Sequence, residues 1–328
     1  MVEQIFQEIV NFFGISRFFQ ILNQGDYSQF LTYNGVTSII APIIPLLILC
    51  EFILGLAYKK PQTKVYRVIF LIYLFNRVVG RFIALAMVTL CIGLFEPWAI
   101  INTSKTWYWF IYSYIVWELG HYVYHYLGHK VRLFWCLHAT HHTPEEMNLF
   151  VSHAHFFLEA PYADVIRTTI CILLGVDPTV LFVIMFIDGT YGAFIHVGEN
   201  MIKDARFGFL NNIILTPSHH RVHHAKNPLY IDTNYCNLLN IWDKIFGTLQ
   251  DENRNMPINY GVTRKIKSGN FMDVYFGEII LLIKDVYGAP GVLNKFKYIV
   301  YPPGWNHLGT GKTAKVIRQE YLQKINPS

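Results

Sequence analysis

Long apolar stretches constrain this chain more than any other feature. Val36 to Tyr58 is a continuous run, and a bilayer core takes ~20 apolar residues in helical form. A second apolar region, Val68 to Trp98, is interrupted by Asn76, Arg77 and Arg81. A third, Trp107 to Leu119, leads directly into a histidine cluster. The fourth, Val165 to Val197, is broken by Gly175-Val-Asp-Pro178 and reads as two helices joined by a turn. With 53% hydrophobic and only 15% charged residues, the composition argues against an ordinary soluble domain. The expected fold is an all-α integral membrane protein. About four transmembrane helices, one of them a re-entrant or paired hairpin, would lie under a cytoplasmic histidine-rich helical cap.

Three segments follow. Residues 1–104 would hold an N-terminal amphipathic helix and the first spans, 105–250 the chemical core, and 251–328 a basic cytoplasmic segment. No cleavable signal peptide is evident, because Glu3 and Glu8 stand where a basic region should be. Residues 4–22 instead place Ile5, Ile9, Phe12, Phe13, Phe19 and Leu22 at near-helical spacing, which suits an interfacial helix or a lipid-buried helix end. Five scattered cysteines without a C-x-x-C pair exclude a disulfide framework and give thiolate ligation little support. The net charge of +5 resides almost wholly beyond residue 250, where anionic headgroups explain it and nucleic acid need not be invoked.

Charge bias also sets the orientation. Lys59, Lys60, Lys64 and Arg67 follow the first span and place that loop in the cytoplasm. The next region crosses outward, where Phe95, Trp98, Trp107, Tyr108 and Trp109 form an aromatic belt around a short loop. The third region returns, and the hairpin dips out and back. Phe271 to Tyr287 carries apolar residues on one helical face and suits the membrane surface.

All but one of the 14 histidines fall between His121 and His224. They form His125-x3-His129, His138-x2-His141-His142 and His220-x2-His223-His224, and imidazole is the commonest metal-ligating side chain. His121, His125 and His129 share one helical face, but at ~1.5 Å rise per residue the outer two are ~12 Å apart, so His121 belongs outside the ligand set. In the other clusters each doubled histidine can serve two neighbouring ions. Eight rings exceed the needs of one tetrahedral ion and suit two. Affinity order favours copper or zinc over iron in all-nitrogen sites, so zinc can occupy such a site in purified protein. A structural zinc wants four ligands in a closed tetrahedron, whereas eight rings over two ions leave positions open for dioxygen.

These motifs resemble the fatty acid hydroxylase and sterol desaturase superfamily, and the alkylglycerol monooxygenase-like branch most. One matching stretch runs from Trp117-Glu118 through Trp135-Cys-Leu-His138-Ala-Thr-His141-His142 to Asn148-Leu149. The other is Thr216-Pro-Ser-His219-His220-Arg-Val-His223-His224, continuing through Asp232 and Ile241-Trp-Asp243-Lys-Ile-Phe-Gly-Thr248. The resemblance covers roughly residues 105–250. It implies two irons held by the eight histidines at the cytoplasmic face, and oxygen-dependent hydroxylation of a lipid alkyl or acyl chain. The lipid would be drawn from the bilayer and aligned in an apolar tunnel between the spans. His196 resembles a further family histidine, a ninth ligand or an outer group, or else an ordinary helix-end histidine, and His219 precedes the last box in similar sequences. Glu118, Asp232 and Asp243 are candidate carboxylates for orienting ligand rings, or else ordinary cap or surface acids. The chain departs from the family at Tyr126, where Arg is usual, at Glu118 for Asp, and at His121 for an aromatic residue. His153 and His155 stand where the branch lacks histidines, and the spacing of His155 and Glu159 resembles the sterol branch.

No G-x-G-x-x-G is present, so the electron donor is external: a reductase, cytochrome, ferredoxin or reduced pterin. Gly309-Thr-Gly311-Lys312-Thr313 mimics the end of a phosphate loop, but Asn306 stands where its first glycine should be. Two rivals share these features: a sterol desaturase or methyl oxidase, and a non-catalytic membrane zinc-binding or transport protein. Either oxygenase would sit in a bacterial inner membrane or the endoplasmic reticulum.

Overall fold

The computed structural model describes residues 7, 15–40, 42–58, 63–79 and 81–325. Most of the amphipathic stretch expected over 4–22 lies outside them, as do Lys59 and Lys60. Among the described residues there are fourteen α-helices and no strand, only two isolated bridges, Ile214 with Leu239 and Ala225 with Tyr260. In chain order the helices are α1 (Ser16–Gln24), α2 (Tyr33–Ile40), α3 (Ile43–Ala57), α4 (Thr63–Val79), α5 (Arg81–Phe95), α6 (Trp107–Lys130) and α7 (Arg132–His142). There follow α8 (Glu159–Leu173), α9 (Pro178–Phe194), α10 (Pro217–His223), α11 (Ile241–Ile245), α12 (Phe271–Gly288), α13 (Gly291–Val300) and α14 (Ala314–Ile325).

Only Ser38–Ala57 is long and apolar enough to cross a membrane among the described residues; the apolar helices Ile83–Trp98 and Pro178–Phe194 are shorter. The outer faces are nevertheless unusually apolar. Leu46, Phe52, Ile53 and Leu56 of α3, Phe70 and Leu74 of α4, and Leu85, Leu90 and Leu94 of α5 are all exposed. Contiguous apolar surface on this scale marks contact with a partner or a membrane.

The centre of the molecule is α6. It packs closely along α8 because Gly120 lets the two backbones approach: a Cβ there would stand 3.0 Å from the Arg167 Cα. Tyr114, Val116 and Trp117 of α6 join Cys171, Ile172, Leu181 and Ile184 in one buried cluster. Each such side chain contributes roughly 1.5–3 kcal/mol on burial. The expected break at Gly175 to Pro178 is a turn: Asp177 caps α9, its carboxylate accepting from Thr179 N–H (2.8 Å) and Val180 N–H (3.1 Å), with Pro178 as the first helical residue.

The single long apolar region expected over 68–98 is two helices. The polar residue that interrupts it is bonded inside the protein: the Asn76 amide donates to His155 O (2.7 Å) and accepts from Tyr275 OH (2.5 Å). That anchors α4 to the loop before α8 and to α12. Helix α12 presents Val274, Tyr275 and Leu282 inward, against α4 and α7, while Met272, Ile280, Ile283 and Tyr287 stay exposed.

Candidate metal centre

Helix geometry brings the histidines together. Residues four apart on a helix lie one above the other, so His125 and His129 on α6, His138 and His142 on α7, and His220 and His224 at α10 form three stacked pairs. The chain reverses at Val131, the residue between α6 and α7, so the first two pairs face each other. Nine imidazoles converge in two adjacent groups. His125, His129, His138, His142 and His223 form one, and His141, His196, His220 and His224 the other; within each group the ligand atoms lie within 4.8 Å of one another. All nine are buried. The groups meet where the His142 and His224 rings stack at 4.5 Å between centroids. Both doubled histidines are divided between the groups, His141 from His142 and His223 from His224.

The outer nitrogens are fixed by the protein. Nδ1–H of His125 donates to Tyr235 O (2.9 Å), that of His223 to Thr233 O (2.8 Å) and that of His196 to Gly192 O (2.6 Å). His138 Nδ1–H donates to Glu159 (2.5 Å), and His129 Nδ1–H to Asp232 (3.2 Å). A neutral imidazole has one ring proton, so these rings turn bare Nε2 lone pairs inward. Yet His125 Nε2 stands 3.0 Å from His138 Nε2, with both ring protons already used elsewhere. Facing lone pairs at this distance repel unless a cation lies between them. His196 Nε2 lies 3.1 Å from His141 Nε2 and 2.9 Å from His220 Nε2, two rings whose Nδ1 atoms have no hydrogen-bond partner among the described residues. His129 Nε2 and His223 Nε2 have no hydrogen-bond partner at all, which is costly for buried polar atoms.

The donor set therefore fits metal ions. Nε2 atoms 2.9–3.1 Å apart could be bridged by one ion, and five nitrogens in one group exceed a structural zinc tetrahedron. Electrostatics agree. Burial, reinforced by neighbouring imidazoles, holds His141, His142, His220, His223 and His224 well below the ordinary imidazole range, so they are neutral and ligand-competent near pH 7.

The other candidates suggested by the sequence divide. His196 belongs to the four-nitrogen group. His121 lies outside both, its Nδ1 3.6 Å from Asp188. His155 stacks on His141 at 4.4 Å and donates to Glu159 (2.8 Å). His219 is turned away: it closes the N-terminal cap of α10 with Thr216, and its Nε2 meets Asp251 (2.9 Å). Of the three carboxylates, only Asp232 reaches a ligand ring. It also takes Lys130 (2.5 Å), and these partners hold its carboxyl below the usual range although burial alone would raise it.

Glu118 and Asp243 take the structural alternative. Glu118 accepts from the backbone N–H of Asn237, Leu238 and Leu239, and Asp243 from those of Tyr235 and Cys236. Both bind loop backbone because a turn full of inward N–H groups needs acceptors more than a ring does. Their effect on the site is indirect, since this loop carries the Tyr235 carbonyl that orients His125. Two further carboxylates matter. Glu159 joins the groups, holding His138 of one and the His155 that stacks on His141 of the other; its only sequence signal was the four-residue spacing from His155. Glu51 on α3 accepts from Leu149 N–H (2.6 Å) and Gly198 N–H (2.7 Å), tying the apolar helix to the segments beside His142 and His196. Nothing local in the sequence marks it.

Residues 109–248 match the family model for fatty acid hydroxylases. The chain is 33% identical over 224 residues to human alkylglycerol monooxygenase, covering 68% of this chain and 46% of that protein. The Xenopus tropicalis enzyme of the same name is 31% identical over 69% of this chain and 47% of its own length. An ornithine lipid hydroxylase of Rhizobium tropici is 30% identical over 156 residues, covering 47% of this chain and 46% of that protein. The chain thus spans about half the length of the curated relatives it matches. No solved structure matches it.

Proposed function

Residues 109–248 belong to the fatty acid hydroxylase family, and from that premise we propose that this protein is a di-iron, dioxygen-dependent membrane monooxygenase that hydroxylates a lipid alkyl or acyl chain. The single observation that carries the reading is the pair of facing Nε2 atoms, His125 and His138, whose ring protons are both used on the outer side. The five-nitrogen group would hold one iron and the four-nitrogen group the other. Bound iron supplies the oxygen activation that no side chain here can. One oxygen atom then enters a C–H bond and the other leaves as water, with two electrons from an external donor and two protons.

The chain's own contribution is placement and exclusion. Glu159, Asp232 and the carbonyls of Tyr235, Thr233 and Gly192 lock five rings, so those five need not reorient when metal binds. All nine rings are buried, which limits their contact with bulk water. An unactivated methylene offers no charge to grip, so substrate alignment must come from proximity.

We further read the chain as multi-pass, with the centre at the cytoplasmic membrane face. The exposed apolar faces of α3, α4 and α5 support this, as do the exposed Trp98, Trp107 and Tyr108 at the opposite end of α6 from its histidines. A zinc relay would distribute ligands through the bilayer depth, whereas these gather in one place. Expressing the chain in a lipid-bearing host and comparing lipid mass spectra tests the activity. A species heavier by one oxygen atom is expected, absent with His142→Ala at equal membrane abundance. Oxygenated lipid at wild-type level from that variant would refute the assignment.

A further inference from the structure

A cavity of about 910 Å³ opens onto the five-histidine group through His129, His142 and His223. Among the described residues none of its wall comes from α1 to α5, α8 or α9, while α12 and α13, which also carry exposed apolar residues, both line it. Most of it comes from beyond residue 248, outside the family match. The wall mixes charged side chains with apolar ones such as Trp135, Leu281, Trp305, Leu308 and Ile317. The size of the cavity suits a ligand rather than a few waters.

The wall is strongly cationic. It bears eight lysines and arginines against three carboxylates, Asp232, Glu278 and Asp285. That excess equals the net charge of the whole chain, +5, concentrated in one concavity where low-dielectric walls focus the field. Much of the charge is used internally: Lys130 pairs with Asp232, Arg132 and Arg264 converge on Glu278, Lys312 pairs with Glu320 and Lys226 with Glu145, which leaves Lys297, Lys315 and Arg318 without an acidic partner among the described residues. Arg318 is different. It gives one nitrogen to Gln250 (2.9 Å), and its Nη1 is buried without a hydrogen-bond partner. A guanidinium nitrogen in that state lacks an acceptor. Lys315, one turn away on α14, adds a second charge to the same wall.

The rim is built rather than loose. Trp305 packs edge-on against Tyr298 (5.1 Å) and Tyr301 (5.0 Å). Gly304, at φ +83°, leaves no room for a side chain, since a Cβ would stand 2.2 Å from Lys312 O, and one on Gly311 would stand 2.2 Å from Gly304 O. Of the two glycines in the phosphate-loop mimic, Gly311 thus crosses closely over Gly304 at the cavity wall, while Gly309 has open space around it.

We propose that this cavity binds the anionic headgroup, phosphate or carboxylate, of the lipid substrate, with Arg318 and Lys315 as its specificity-determining cations. The headgroup then sits beside the histidines, so oxidation falls on a carbon close to it rather than at the far end of the chain. The inference rests on the oxygenase reading and names its substrate class.

The test is calorimetric binding by the full chain in neutral detergent, using lysophosphatidic acid, the monoacylglycerol of the same acyl chain, and glycerol phosphate. The anionic lipid is expected to bind at least about tenfold more tightly than the neutral one, with the difference shrinking as salt rises. Combining Arg318→Gln with Lys315→Gln should erase that preference at unchanged iron-binding stoichiometry, and Arg318→Lys should restore part of it. Equal binding of the two lipids by the wild type, with iron binding intact, would overturn the inference and leave the oxygenase reading standing. Glycerol phosphate binding as tightly as the lipid would overturn the lipid assignment in favour of a soluble phosphate. Loss of iron binding with the preference retained would instead count against the metal centre.

Discussion

At the residue scale, what matters is which atom each imidazole presents. In His125, His129, His138, His196 and His223 the outer nitrogen is tied to a carboxylate or carbonyl and the inner one is left bare. Glu159 is the most exposed to test, because it holds His138 and His155 at once. Glu159→Ala removes both acceptors and frees two rings to rotate. Iron affinity should fall by roughly 10–100-fold, measured by competition with a calibrated chelator, while helical content by circular dichroism stays unchanged. Wild-type affinity in that variant would show that the carboxylate orients nothing. The eight box histidines were legible from spacing alone, since helical periodicity converts sequence distance into a shared face. Their orienting partners were mostly not. Tyr235 O acts on a ring 110 positions earlier, and Asp232 on one 103 earlier, so no local pattern links them.

At the scale of elements, the site depends on α6 being pressed against α8 and reversed into α7. Gly120 is the narrowest point, with Arg167 backbone on the other side and the His121 to His129 face immediately following. Gly120→Leu forces the helices apart. Overpacking of this kind costs about 1–3 kcal/mol, so the apparent melting temperature should drop and iron loading with it. Unchanged melting and loading would mean that the α6–α8 contact does not set the site. The element inventory was mostly readable, down to the turn at Gly175 to Pro178. The split of residues 68–98 into α4 and α5 was not, because hydropathy does not show that Asn76 is satisfied by a loop and by α12. Nor was the carboxylate link from α3 to the site, since Glu51 reads locally as a lone acid in an apolar run.

At the scale of the molecule, buried imidazoles held neutral by the fold make the metal-free protein sensitive to acid. Buried His141, His142, His220, His223 and His224 resist protonation in the folded state, while the same groups titrate near 6.5 when unfolded. The unfolded chain therefore takes up protons first as pH falls. Stability is fully present above about pH 6.5 and is lost progressively below it, the direction opposite to that of a histidine stabilised by a carboxylate. Denaturation of metal-free protein at about pH 8 and about pH 5.5 should show a clear loss at the lower value, and iron should protect by competing with protons. Equal stability at the two pH values would mean that the rings are not held neutral by the fold. The sequence foresaw a basic tail beyond residue 250 but not its place. Residues 297–318 wall the cavity that leads to the five-histidine group, a contact no periodicity encodes.

The central claim is that two groups of buried imidazoles, five and four, hold two ions. Anaerobic titration of the metal-free chain with ferrous iron addresses it directly, with bound iron counted per polypeptide. Saturation at two irons per chain is expected; saturation at one, or no binding at all, would contradict the account.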